Sequence, residues 1–268
     1  MNLIYSCVFV NKDYLNLVEL LLASFSKYSK LGPDYKYLIV CDKNMKERTL
    51  GLFKKYNING LLWHLDCSST FDAASSRLKI FDYPSIDNYD KILYLDCDVL
   101  ISDTFSNIWE ICHEDIIYTI QEEPHRLSHF FHYSDQELGK INREDAFTTA
   151  VILFKNCQKV KDLFKKTMDH IEDHKEKGAE IPFCLEQPFL IYHAINTQMF
   201  DNKQLKRFAR NHRFNNFNEI FVFKNQLTQL NEEDKKNLIK IPINHFVTGV
   251  GNYQSKISCM TIFLMGLL

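Results

Sequence analysis

The first half of the chain alternates short apolar runs with stretches whose apolar residues recur at helical spacing. That alternation restricts the chain to an α/β fold, because each apolar run needs a helix to cover its faces. Ile4 to Val10 is one such run, and Leu15, Val18, Leu21, Leu22 and Phe25 then form a helical stripe. Tyr37 to Cys41 and Leu61 to Leu65 read as the next strands, with a helix over Met45 to Tyr56 between them. A helix carrying Arg77, Leu78 and Phe81 follows, then the run Lys91-Ile92-Leu93-Tyr94-Leu95. Farther on, Ala146 to Phe154 reads as a strand, Val160 to Ile171 as a helix, and Glu186 to Ala194 as a helix entered through Pro188. Beyond about residue 200 the pattern is less regular, with an Asn-rich stretch (Asn211, Asn215, Asn216, Asn218) and the polar run Asn231 to Lys236. There is no internal repeat and no linker. The expectation is a single domain: about 1–200 as a core and about 201–268 as a C-terminal closing segment.

The fourth apolar run ends abruptly in Asp96-Cys97-Asp98. In open α/β sheets ligands gather at the carboxyl ends of strands, so an acidic pair just past a buried strand marks a site. Two carboxylates separated by one residue can both turn toward one hard cation and leave positions open for phosphate oxygens. By itself, an Asp-x-Asp after a strand is equally well a turn cap.

Composition limits the partners. A 268-residue chain with 46% hydrophobic residues is long enough for a full core. A formal charge of -2 leaves no excess of Lys and Arg to hold a polyanion, which argues against nucleic acid. The eight cysteines are scattered singly without metal-ligand spacing, as expected of reduced thiols in a reducing compartment. There is no Asn-x-Ser/Thr acceptor, and the N-terminus reads as a strand rather than a signal peptide, so a cytoplasmic location is expected. Met260 to Leu268 is apolar but far shorter than the roughly 20 residues of a spanning helix. Packing on the core is the expectation there, with peripheral membrane contact as the alternative.

Ser76-Arg77-Leu78-Lys79 followed by Asn88-Tyr89-Asp90-Lys91-Ile92-Leu93-Tyr94-Leu95-Asp96-Cys97-Asp98-Val99-Leu100 resembles the central signature of glycosyltransferase family 8. The resemblance implies a GT-A type fold with a mixed, Rossmann-like sheet, and retaining transfer of a hexose from a nucleotide sugar, preferably a UDP-sugar. It also implies a Mn²⁺ ion, with Mg²⁺ as the alternative, held by Asp96, Asp98 and the imidazole of His245 in Asn244-His245-Phe246-Val247-Thr248-Gly249. Asn11 and Tyr14 stand where the family holds the base; Arg77, Lys79 and Cys97 stand on the donor side, and Lys256 is the displaced counterpart of a phosphate-binding lysine. Phe147-Thr148-Thr149-Ala150-Val151 matches a sugar-binding segment in which Thr148 replaces an Asn. Glu186-Gln187 matches the pair expected beside the anomeric carbon, with Gln187 the closer match. The acceptor is then a glycan or a protein hydroxyl.

Three other features weigh less. A phosphohydrolase would use the same local Asp-x-Asp but needs a second acidic pair after a later apolar strand, and the acidic residues at 232 to 234 lie in a polar run instead. A degenerate sugar-nucleotide binder is suggested by Thr148 and by the departures after Gly249. His125, His129 and His132, and the pair His170 and His174, are candidate metal ligands without a closing Cys or Glu.

Overall fold

The computed structural model describes residues 1–122, 143–214, 217–248 and 253–267. The strands are β1 (Asn2–Val8), β2 (Tyr35–Cys41), β3 (Gly60–His64), β4 (Lys91–Leu95), β5 (Val99–Ile101), β6 (Ile117–Gln121), β7 (Phe147–Lys155), β8 (Phe200–Asp201), β9 (Ala209–Phe214) and β10 (Ile243–Thr248). The α-helices are α1 (Leu15–Tyr28), α2 (Lys46–Lys55), α3 (Thr70–Ser75), α4 (Ile108–Ile111), α5 (Gln158–Glu176), α6 (Gln187–Thr197), α7 (Phe217–Gln229), α8 (Glu232–Ile239) and α9 (Tyr253–Leu267).

Seven strands form one mixed sheet in the order β3-β2-β1-β4-β7-β6-β8. Its first four strands are parallel, β7 runs antiparallel to both β4 and β6, and β8 is parallel to β6. A second sheet has the order β5-β10-β9, with β10 antiparallel to β5 and parallel to β9. The parallel strands read as unbroken apolar runs because both of their faces are covered. On β1, Ile4 and Val8 pack with the α1 stripe of Leu15, Val18, Leu21, Leu22 and Phe25. Leu3 and Tyr5 pack on the opposite side with Phe71, Leu78, Phe164, Phe189 and Leu190. Each fully buried side chain of this size contributes about 1.5–3 kcal/mol.

Two expectations change. The helix expected around Arg77 is α3 followed by a run of 3₁₀ turns over Ser76–Asp82, which carries Arg77 itself. The stretch after residue 200 is regular rather than irregular: it holds β9, α7, α8, β10 and α9. Within it the polar run starts a helix, since the Asn231 side chain accepts hydrogen bonds from the amides of Glu233 and Asp234. The C-terminal apolar run packs on the core, burying Cys259, Met260 and Phe263 and leaving Met265 exposed. Among the described residues no helix is long and apolar enough to cross a membrane. All eight cysteines are free thiols.

The acidic pair sits at the junction of the two sheets. β4 of the large sheet ends at Leu95 and β5 of the small one begins at Val99. Accordingly, the amide of Asp96 donates to Ala150 O on β7 (2.8 Å), while Asp98 O accepts from the amide of Phe246 on β10 (3.0 Å).

Candidate active site

A cleft of about 560 Å³ opens at the carboxyl ends of β1 and β4. Among its lining residues are Asn11, Tyr14, Arg77, Asp96, Cys97, Asp98, Thr148, Glu186, Gln187, His245 and Lys256. Lys79, half-buried on the 3₁₀ run, is not one of them. His170 lies with Nδ1 3.2 Å from His193 Nε2, and His174 Nε2 lies 2.8 Å from Glu180 O, so these histidines join α5 to its neighbours. His125, His129, His132 and Gly249 to Asn252 fall outside the described residues.

On the large-sheet side, Arg77 is the hub. It is buried, and its guanidinium lies 3.2 Å from both Asp96 Oδ1 and Glu186 Oε1 while donating to Thr149 O at 2.8 Å. The guanidinium also stacks over the Tyr94 ring, 4.7 Å from its centroid, and the Tyr94 hydroxyl donates to Asp96. Burial of Arg77 alone would favour the neutral form, but Asp96 and Glu186 outweigh it and hold the cation charged. Burial raises Glu186 above the ordinary carboxylate range, against the pull of Arg77. Although Glu186 precedes α6, its side chain caps no helix amide; it accepts from Thr149 Oγ1 at 2.9 Å. Gln187 Oε1 accepts from the Thr149 amide at 3.2 Å, which fixes the side chain at the cleft wall.

The small-sheet side is built differently. Asp98 is buried and forms an ion pair with Lys256 of α9. His245 Nε2 lies 3.4 Å from Asp98 Oδ1, outside hydrogen-bonding geometry, so among the described residues that buried oxygen has no hydrogen-bond partner. Burial would raise the Asp98 carboxyl, but Lys256 and then His245 outweigh it and hold it well below the usual range. Lys256 is raised in turn: its own desolvation is overcome by Asp98. His245 Nδ1 lies 2.8 Å from Asn211 Oδ1 on β9, which accepts its proton and leaves Nε2 facing Asp98.

Potential ligand atoms of Asp96, Asp98 and His245 all lie within 4.8 Å of one another. Two carboxylate oxygens and an imidazole nitrogen suit Mn²⁺ or a similar divalent cation. The Asp98 oxygen that lacks a hydrogen bond is the atom such an ion would satisfy.

Four contributors escaped the sequence reading: Tyr94, Thr149, Asn211 and the buried ion pair Glu122–Arg213 in the cleft lining. Only Tyr94 carried a usable signal, its i, i+2 spacing from Asp96 along an extended chain.

A family model described as glycosyl transferase family 8 matches residues 72–203. That segment belongs to glycosyltransferase family 8. It contains the Arg77 hub, the acidic pair and the Glu186-Gln187 start of α6, whereas His245 and Lys256 lie beyond it. Solved glycosyltransferases share the fold. The bifunctional glycosyltransferase WbbM in its apo form aligns with a TM-score of 0.61 at 15% identity, over 97% of this chain and 49% of that one. This chain thus spans about half the length of WbbM. Mouse xyloside xylosyltransferase 1, also apo, aligns with a TM-score of 0.59 at 11% identity, over 95% of this chain and 99% of that one. No curated protein sequence matches the chain.

Proposed function

We propose that this family 8 glycosyltransferase moves a hexose, with retention, from a nucleotide sugar (a UDP-sugar for preference) to a hydroxyl of a glycan or protein acceptor in the cytoplasm. The observation that carries this reading is the convergence of Asp96, Asp98 and His245 around an Asp98 oxygen that lacks a hydrogen bond. A Mn²⁺ ion held there would neutralise charge on the diphosphate as it leaves.

The chain's own groups account for the remaining needs. Tyr14 offers an exposed ring at the rim of the cleft for a base to stack on. Lys256, paired with Asp98, is the ammonium that a diphosphate would recruit. Gln187 lines the cleft with its Oε1 held by the Thr149 amide, and is the residue assigned to the side of the anomeric carbon. Glu186 is committed to Arg77 and Thr149, which disfavours it as a covalent nucleophile. Attack from the leaving-group face, with the departing phosphate accepting the acceptor's proton, is therefore the favoured route. Thr148 Oγ1 lies 3.3 Å from the Ala150 amide, so the residue in place of the family Asn is turned toward its own strand.

The test is release of UDP from a panel of UDP-sugars, with Mn²⁺ and with chelator. Metal-dependent release from one sugar supports the reading. Metal-independent release, or none from any sugar, sinks it.

A further inference from the structure

The segment joining β1 to the cleft is held in a conformation that its own residues oppose. Val10 has φ 66°, and the Asn11 amide donates back to Phe9 O at 2.7 Å, closing a three-residue γ-turn. A positive φ is uncommon outside glycine, and for a β-branched residue it is an outlier that neighbouring structure must impose. Strain of this kind concentrates at binding sites. Val10 is half exposed and lines the cleft, as do Asn11 and Tyr14 just beyond it.

The residue imposing the turn is Asp42, at the end of β2. Its Oδ2 accepts the Val10 amide at 2.7 Å. Asp42 stands at the N-cap of the 3₁₀ turn Lys43–Met45, where an Asp side chain ordinarily caps its own helix, yet it makes no such cap. It reaches across to β1 instead, and a charged acceptor makes the stronger kind of hydrogen bond. Downstream, Asn11 Oδ1 accepts the Asp13 amide at 2.9 Å and thereby starts the short turn that ends in Tyr14. A chain of contacts thus runs from Asp42 through the strained Val10 to Asn11 and Tyr14. Asp42 itself is absent from the cleft lining.

We infer that Asp42 is a positioning residue for the nucleoside half of the donor: it pins the Val10 turn and so presets Asn11 and Tyr14 for a nucleobase, without touching the ligand. This rests on the donor reading given under the proposed function. Removing the carboxylate should let Val10 relax to negative φ and disorder the base side, leaving the Asp96, Asp98 and His245 end intact.

The experiment titrates UDP and, separately, inorganic pyrophosphate into the full chain with Mn²⁺. In Asp42→Ala, UDP binding should weaken about tenfold while pyrophosphate binding stays within about twofold, the loss of one charged hydrogen bond being felt only at the base. Asp42→Asn, which keeps an acceptor, should recover most of the affinity. In a Val10→Gly background, where positive φ carries no penalty, Asp42→Ala should cost only about two- to threefold. Equal loss of UDP and pyrophosphate would overturn the inference, because it would make Asp42 a general support of the fold. Unchanged UDP affinity in Asp42→Ala, with a wild type that binds, would overturn it alone. A wild type that binds neither ligand would overturn the donor reading and the inference with it.

Discussion

Asp96 and Asp98 are two residues apart, yet they belong to differently built halves of the cleft. Asp96 is the more open, with 24% of its side chain exposed, and is held by Arg77, Tyr94 and the β7 backbone of the large sheet. Asp98 has 7% exposed and is held by His245 and Lys256, from the small sheet and the C-terminal helix. The Asp96 side is a satisfied network in which each carboxylate has a hydrogen-bonded partner. On the Asp98 side, among the described residues, one carboxylate oxygen lacks a hydrogen-bond partner and the other is paired with Lys256. The first half is thus closed by its own hydrogen bonds, whereas the second keeps hydrogen-bonding capacity unspent, as the proposed metal site requires.

The largest effect should come from breaking the satisfied side. Arg77→Met leaves Glu186 and Asp96 facing each other without a countercharge, and should destabilise the fold by about 3–5 kcal/mol. Urea unfolding monitored by fluorescence checks this; a loss below about 1 kcal/mol would show that Arg77 is not the hub. Asp98→Ala should do the reverse: it should cost little stability, because Lys256 can turn to solvent, and lose Mn²⁺-dependent donor binding altogether. Asn211→Ala, which frees the imidazole of His245, should weaken Mn²⁺ affinity by about 10- to 100-fold. Titration with Mn²⁺ checks both variants, and wild-type affinity in either would remove that residue from the proposed metal site.

The smallest effect concerns the packing behind the large-sheet side. Burial, reinforced by the facing His170, pushes His193 of α6 down to about 4. An exposed imidazole titrates near about 6.5. Between those values the unfolded chain binds a proton that the native chain does not, so stability falls as pH falls through this window. Because His193 is only half buried, the expected loss is discounted to about 1–2 kcal/mol. Urea midpoints from pH 7 to pH 4.5 should show it, and His193→Gln should flatten the slope. A slope unaltered in that variant would assign the acid sensitivity to other groups.

Legibility followed the same division. The large-sheet side could be read because its strands are apolar on both faces and its polar residues cluster at their ends: Arg77, Asp96, Glu186 and Gln187 each stand beside an element boundary. Arg77 was read onto a helix and proved to lie on 3₁₀ turns, a change of local winding that side-chain periodicity does not resolve over so short a stretch. The small-sheet side was harder. β9, Ala209–Phe214, carries Arg210, His212 and Arg213, and so many polar side chains hide a strand from any hydrophobicity pattern. Those side chains are polar because they serve contacts made across the fold: His212 Nε2 lies 2.9 Å from Asn244 Oδ1, and Arg213 pairs with Glu122.

By itself the sequence determined the α/β class, the strand that ends in the acidic pair and most of the polar residues that line the cleft, because burial periodicity and residue chemistry are local properties of the chain. Only the tertiary structure decided that Asp96 and Asp98 divide between two sheets, that Glu186 answers to Arg77 rather than to its own helix, and that Asp42 reaches across to hold Val10. Each of these depends on which distant backbone comes to lie beside a given side chain, and strand pairing and closure of the C-terminal helix fix that only once the whole core is buried.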